Sequence, residues 1–120
     1  MYTCHLYTQG MKELRWVGDA LDRLRELPQP VQRGLGYGLH RVQTGQTPLD
    51  FKPMPTVGSG AFELRFRDRT GAYRMFYVAR FGDVVYVLHA FTKKTEKTAP
   101  GDLSVGRDRY RAAEADARKG

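Results

Sequence analysis

Residues 61–91, AFELRFRDRTGAYRMFYVARFGDVVYVLHAF, decide the fold. Phe62, Leu64 and Phe66 alternate with Glu63, Arg65 and Arg67, the period of two that gives a strand one apolar face. Asp68–Ala72 (DRTGA) reads as a turn, Tyr73–Phe81 as a second strand and Val84–Phe91 as a third. Gly82-Asp83 between the last two has the glycine-first form of a two-residue type II′ hairpin. Such a turn pairs Phe81 with Val84, so that Arg74 faces Phe91, Phe76 faces His89 and Val78 faces Val87, all on one side. Met75, Tyr77, Ala79 and Phe81 then share the opposite side with Val84, Tyr86, Leu88 and Ala90. That side is the more continuously apolar and is expected to carry the helices, with Phe62, Leu64 and Phe66 matching it.

Upstream, KELRWV after Met11 reads as a short strand. Asp19 suits a helix cap, and Ala20, Leu21, Leu24 and Leu27 follow at helical spacing until Pro28. Pro30 suits the first turn of a second helix with a stripe of Val31, Leu35, Leu39 and Val42, ended by Gly45. Thr47–Gly60 holds three prolines and two glycines and is expected as a loop carrying Lys52. Downstream, KKTEKT brings Lys93, Lys94 and Lys97, and Asp102 is placed to cap a basic final helix with a thin apolar stripe. The order is a short N-terminal strand, two helices, an antiparallel three-stranded meander and a C-terminal helix. This is an α+β domain with helices on one face of its sheet. Residues 11–120 make a single domain, and 1–10 read as an N-terminal extension.

Composition narrows the function classes. Twenty Lys and Arg stand against thirteen Asp and Glu, a net charge of +7 in 120 residues, with a pI near 9.8. A surplus of that size favours polyanionic partners, nucleic acid foremost. Cys4 is the only cysteine, which rules out an internal disulfide and fits a reducing cytoplasm. His5, His40 and His89 lie far apart, so no metal ligand spacing is visible and neither metal nor cofactor is expected. The longest apolar run, Val84–Leu88, is far too short for a membrane span, and Met1–Gly10 has no secretory apolar core.

The charges have a place to gather. If Phe62, Leu64 and Phe66 meet the helices, then Glu63, Arg65 and Arg67 join Arg74, His89 and Phe91 on the opposite, open face, with Lys93 and Lys94 at its rim. Taken singly, each of these is an ordinary solvated or structural residue. Their convergence gives a basic face interleaved with aromatics, suited to phosphate binding and base stacking. An unpaired Arg74 in the centre of a strand is costly, so it is either paired with Glu63 or exposed in a groove; on the open-face placement its removal would silence the face without disturbing the core.

These segments resemble a known family. W-V-G with L-x-x-L-P, then Q-T-G-Q-T-P and F-K, then G-x-G-A-F-E-L-R, G-A-Y-R-M-F-Y and V-Y-V-L-H-A-F-T-K-K-T-E-K-T are similar to the phage-related HigB-like branch of the RelE/ParE toxin superfamily, over roughly Met11 to Arg109. The resemblance implies a RelE-like small α+β domain that cuts messenger RNA on the translating ribosome without metal. It also implies sequestration by a cognate antitoxin, through which the complex would bind operator DNA. Carried over by position, the candidate catalytic residues are Arg65, Arg74, Lys93 and Lys94, with His89 as a possible acid or base. Lys52, Arg67, Phe91 and Lys97 are the candidate RNA-binding residues. Two alternatives share the fold: a ParE-like poison of DNA gyrase without nuclease activity, and a degenerate phage-derived nucleic-acid-binding protein. The chain departs from the family at TAPGDLSVGRDRY, where Ala99 precedes Pro100 and Gly106 stands in place of a helix former.

Overall fold

The computed structural model describes residues 11–119. Residues 1–10, read above as an extension, lie outside the described part. The elements run β1 (Glu13–Trp16), α1 (Ala20–Arg25), α2 (Gln29–Gln43), β2 (Phe51–Pro53), β3 (Ala61–Asp68), β4 (Gly71–Val78), β5 (Val84–Lys93) and α3 (Pro100–Lys119). Asp19 occupies the N-cap of α1, but its carboxylate turns to Arg23 and Arg109 instead of the helix amides. Pro30 sits in the first turn of α2, and Gly45 follows the Thr44 C-cap with φ +80°, the left-handed geometry that glycine supplies without a Cβ penalty.

The expected meander β3–β4–β5 is the centre of a larger, mixed sheet of five strands in the order β1-β5-β4-β3-β2. β1 pairs parallel with β5, and the other pairs are antiparallel. The stretch 47–60 is not loop throughout, because Phe51–Pro53 adds β2 to the edge of β3, with Lys52 opposite Glu63. Proline is tolerable there, since an edge strand leaves amides unpaired on its outer side.

The register agrees with the sequence reading at Arg74↔Phe91 and Phe76↔His89, then slips at a bulge, so that Tyr77 pairs with Val87 and Val78 with Tyr86. Leu88 is the extra residue. β4 stops at Val78, and the connection to Val84 is longer than a two-residue turn, with Gly82 at φ +68°. The bulge changes the face of everything before it in β5. Val85 and Val87, not Tyr86 and Leu88, join Met75, Tyr77 and Ala90 against α1 and α2. Tyr86 and Leu88 turn to the other side with Phe76, Val78 and Phe91.

That other side is not open. α3 lies across it, and Phe76, Val78, Leu88, Tyr110 and Ala113 form a second core there. Helices therefore cover both faces, which explains why Val84–Leu88, VVYVL, is an unbroken apolar run: a central strand buried on both sides needs no alternation. The thin stripe of α3 is supplemented by polar fastenings. Tyr86 Oη and Arg15 donate to Asp116, both at 2.7 Å; Arg109 pairs with Asp19 at 2.7 Å; and Tyr110 Oη donates to the Ser59 carbonyl at 2.6 Å.

Gly106, out of place as a helix former, is what lets α3 approach. A Cβ there would stand 2.8 Å from the Phe76 ring and 3.2 Å from Val57. Phe76 is fully buried and cannot move aside. Gly106→Ala is therefore expected to destabilise the fold by about 1–3 kcal/mol through overpacking, outweighing the roughly 1 kcal/mol of helix propensity that alanine adds. Urea unfolding measures the balance, and a stabilised variant would show that the sheet and α3 are not in tight contact at this point.

Candidate nucleic-acid interface

The arginines of β3 and β4 are brought together by the pairing itself. Arg65 lies directly opposite Arg74, and Arg67 opposite Ala72, which in turn faces Lys93 of β5. Lys52 enters from β2 opposite Glu63. With side chains alternating along each strand, these residues all project on the α3 side of the sheet, beyond the part that α3 covers. Lys52 and Arg67 are exposed, and Arg65 and Lys93 half-buried.

Arg74 is buried, at 4% exposure, and Glu63 is fully buried at 0%. Of the two readings open for Arg74, the pairing with Glu63 holds and the exposed position does not. Among the acids of the described residues, Glu63 is the one at the floor of the cluster, where Oε1 lies 3.3 Å from Arg74 Nε and 3.7 Å from Arg65 Nε. Neither approach has the geometry of a hydrogen bond, so both are ion pairs held by charge. The second oxygen, Oε2, accepts from Thr98 Oγ1 at 3.4 Å, which ties the KKTEKT loop down over the carboxylate. Arg74 Nη1 donates to the Tyr73 carbonyl at 3.0 Å.

The electrostatics follow from this crowding. Burial and the neighbouring Arg65 push the Arg74 guanidinium below its ordinary pKa, with Glu63 opposing them. Lys93 is likewise pushed down, by burial and by Arg74, Lys52 and Arg65, against the support of Glu63. Lys52, Arg65, Arg74 and Lys93 thus gather around Glu63, with Asp50 a second, weaker counter-charge to Arg74, and the cations still outnumber the carboxylates.

The remaining expected residues do not join them. His89 is 6% exposed. Its Nε2 is engaged with Asp102 Oδ1 of α3 at 2.8 Å, and its Nδ1 is buried without a partner. His89 is thus held by α3 on the far side of β5 and stands apart from the arginine cluster, where an acid or base acting with Arg65 and Arg74 is expected. Phe91, expected to stack on bases, is 8% exposed. It stacks on His89 at 5.0 Å and packs on Phe76 at 5.1 Å, which places it in the core.

Lys94 follows Lys93 with the opposite facing. β1 ends at Trp16 opposite Val87, so among the described residues no strand covers the outer edge of β5 from His89 to Lys93. There a cleft of about 720 Å³ opens between α1 and α3, lined by Asp19, Glu26, His89, Lys94, Asp102 and Arg109. Lys97 is exposed on the loop. The expected site thus divides into Arg65, Arg74 and Lys93 with Lys52 and Arg67 around Glu63, and His89 with Lys94 on the far flank of β5.

Glu63, legible in ELRFR as a partner for Arg74, also reaches Arg65 and so belongs to the site, a role beyond the pairing that the sequence offers. Asp102 lies inside the first turn of α3, which begins at Pro100, and not at its cap, and nothing in the sequence couples it to His89. Among the described residues no group of three His, Cys, Asp or Glu stands ready to hold a metal ion, and no helix is long and apolar enough to cross a membrane. A family model, Phage derived protein Gp49-like (DUF891), matches residues 22–111. No curated protein sequence matches the chain.

Proposed function

The chain belongs to the phage-derived Gp49-like family, and on that premise we propose that it is a toxin of the RelE/HigB kind that cleaves messenger RNA on the ribosome and is held in check by a cognate antitoxin. The observation that carries this reading is the excess of cations over the carboxylates Glu63 and Asp50 at the uncovered end of the sheet.

RNA brings its own nucleophile. The ribose 2′-hydroxyl attacks the adjacent phosphorus, its proton passes to a base, and the 5′-oxygen departs with a proton as the P–O bond breaks. The protein need only hold the phosphate for in-line attack and stabilise the charge that builds on its oxygens. Arg65 and Arg74 are suited to that charge by number and by fixed placement. Lys93, with its proton held less tightly than usual, is the candidate for proton relay. Such cleavage needs no metal and is expected to persist in EDTA with intact ribosomes.

The engagement of His89 with Asp102 favours a second reading, in which the basic face binds without cutting, as in a ParE-like gyrase poison or a degenerate nucleic-acid-binding protein. Primer extension on total RNA after brief induction separates these. Discrete breaks within coding regions support the nuclease, and an SOS response without breaks supports the poison. Growth that continues with neither supports the degenerate form.

Binding has its own signature. Four phosphate contacts would give a log–log salt slope of roughly −3 for single-stranded RNA, each contact contributing about −0.7. Affinity that stays flat between about 50 and 200 mM salt would remove the basic face as an RNA site.

A further inference from the structure

The basic cluster has a feature that phosphate binding alone does not call for. Arg65 and Arg74 are direct cross-strand partners on one face, where like charges repel. Lys52 and Lys93 flank them on neighbouring strands. Left to themselves, these flexible side chains would splay apart into solvent. A carboxylate with no exposed surface lies beneath them and reaches both guanidiniums through one oxygen, while its other oxygen is held by Thr98.

We infer that Glu63 is the positioning residue of this site, its buried carboxylate holding Arg65 and Arg74 side by side as a preformed cradle for a phosphate, with Thr98 keeping it turned toward them. The inference rests on the ribonuclease reading for its consequence in catalysis, though not for the geometry. Glu63 does not itself face the substrate, since it has no exposed surface and lies beneath Arg65, Arg74 and Thr98. Its contribution is to fix where the positive charge stands before RNA arrives, the condition under which charge stabilises a transition state rather than merely attracting a polyanion. The same carboxylate opposes the cations around Lys93, namely Arg74 on β4, Arg65 on β3 and Lys52 on β2, and so holds up the proton affinity of the Lys93 ammonium. Arg67, two strands from Lys93 on the same face, adds to the cations.

Glu63→Gln keeps the shape and removes the charge. Three readouts are taken on the full chain: single-turnover cleavage of ribosome-bound messenger RNA, affinity for single-stranded RNA at low salt, and the titration midpoint of the Lys93 side chain by ¹³C NMR. Cleavage is expected to fall by about 10²-fold, the cost of misplacing reacting groups by an ångström or so. RNA affinity is expected to hold or rise, because a negative charge has gone, and the Lys93 midpoint to move to lower pH. A residue that served only the fold would lower cleavage and affinity together and leave the Lys93 midpoint of the folded protein where it was.

Should Glu63→Gln not fold, Glu63→Asp keeps the charge but withdraws it by one methylene, and the same changes are expected in smaller measure. An unmoved Lys93 midpoint, or cleavage at the wild-type rate in a folded variant, overturns the inference. Failure of the wild-type protein to cleave in the same assay overturns the ribonuclease reading instead, and the Lys93 midpoint then decides the role of Glu63 on its own.

Discussion

Arg74→Ala is expected to cost the fold about 3–5 kcal/mol, the usual penalty for removing one member of a buried ion pair and leaving the other charged. Glu63 has no exposed surface, and the nearest remaining cation would be Arg65 at 3.7 Å, without a hydrogen bond. Urea unfolding by circular dichroism measures the loss. A double variant, Glu63→Leu with Arg74→Met, is expected to recover most of it, because a buried pair replaced by apolar side chains of similar volume is often neutral in stability. A loss below about 1 kcal/mol for the single variant would mean that the carboxylate escapes burial or takes up a proton at little cost. Tyr77→Ala, at 4% exposure against α1 and α2, removes core packing and should cost about 3 kcal/mol or more. Both substitutions therefore strike the fold, and growth arrest lost on replacing Arg74 would not by itself identify a catalytic role.

The elements most legible in the sequence were those whose pattern is local. FELRFR alternates and is a strand; the stripe Val31, Leu35, Leu39, Val42 is the buried face of α2; and DRTGA marks the reversal between β3 and β4, although Asp68, Gly71 and Ala72 belong to the strands and only Arg69 and Thr70 turn. What escaped was set by contacts distant in the chain. A run such as VVYVL is apolar at every position, so period two cannot orient it, and a single extra residue at Leu88 reverses its faces. β2 is three residues long and contains a proline, and it exists because the β3 edge offers it a partner. The covering of the second face by α3 depends on Gly106 and on scattered polar contacts to Asp116, Arg109 and Tyr110, none of which forms an apolar stripe. For the site, register alone was enough to bring Arg65, Arg74 and Lys93 together. His89 and Phe91 lie on the predicted face, yet α3 and the aromatic packing bury them. Face was readable, and accessibility was not, because accessibility depends on what else lands there.

Lys93, which ends β5, and Lys94, which follows it, offer the sharpest test of where function resides. Lys93→Ala is expected to lower single-turnover cleavage by about 10²–10³-fold, the scale set by losing one preorganised group that stabilises charge in a transition state. Stability should change by no more than about 0.5 kcal/mol, since a partly exposed side chain among like charges contributes little to the fold. Lys94→Ala, one residue on and turned toward the cleft between α1 and α3, should leave cleavage within roughly threefold, the rate equivalent of about 0.5 kcal/mol. The two variants share composition, net charge and chain position to within one residue, so non-specific attraction to RNA falls equally in both. Only the face differs. Equal loss in the two variants would mean that RNA wraps around the open edge of β5 and that His89 and Lys94 belong to the same site as Arg65 and Arg74. Loss confined to Lys94→Ala would move the chemistry to the cleft and the His89–Asp102 pair. Loss confined to Lys93→Ala places it over Glu63.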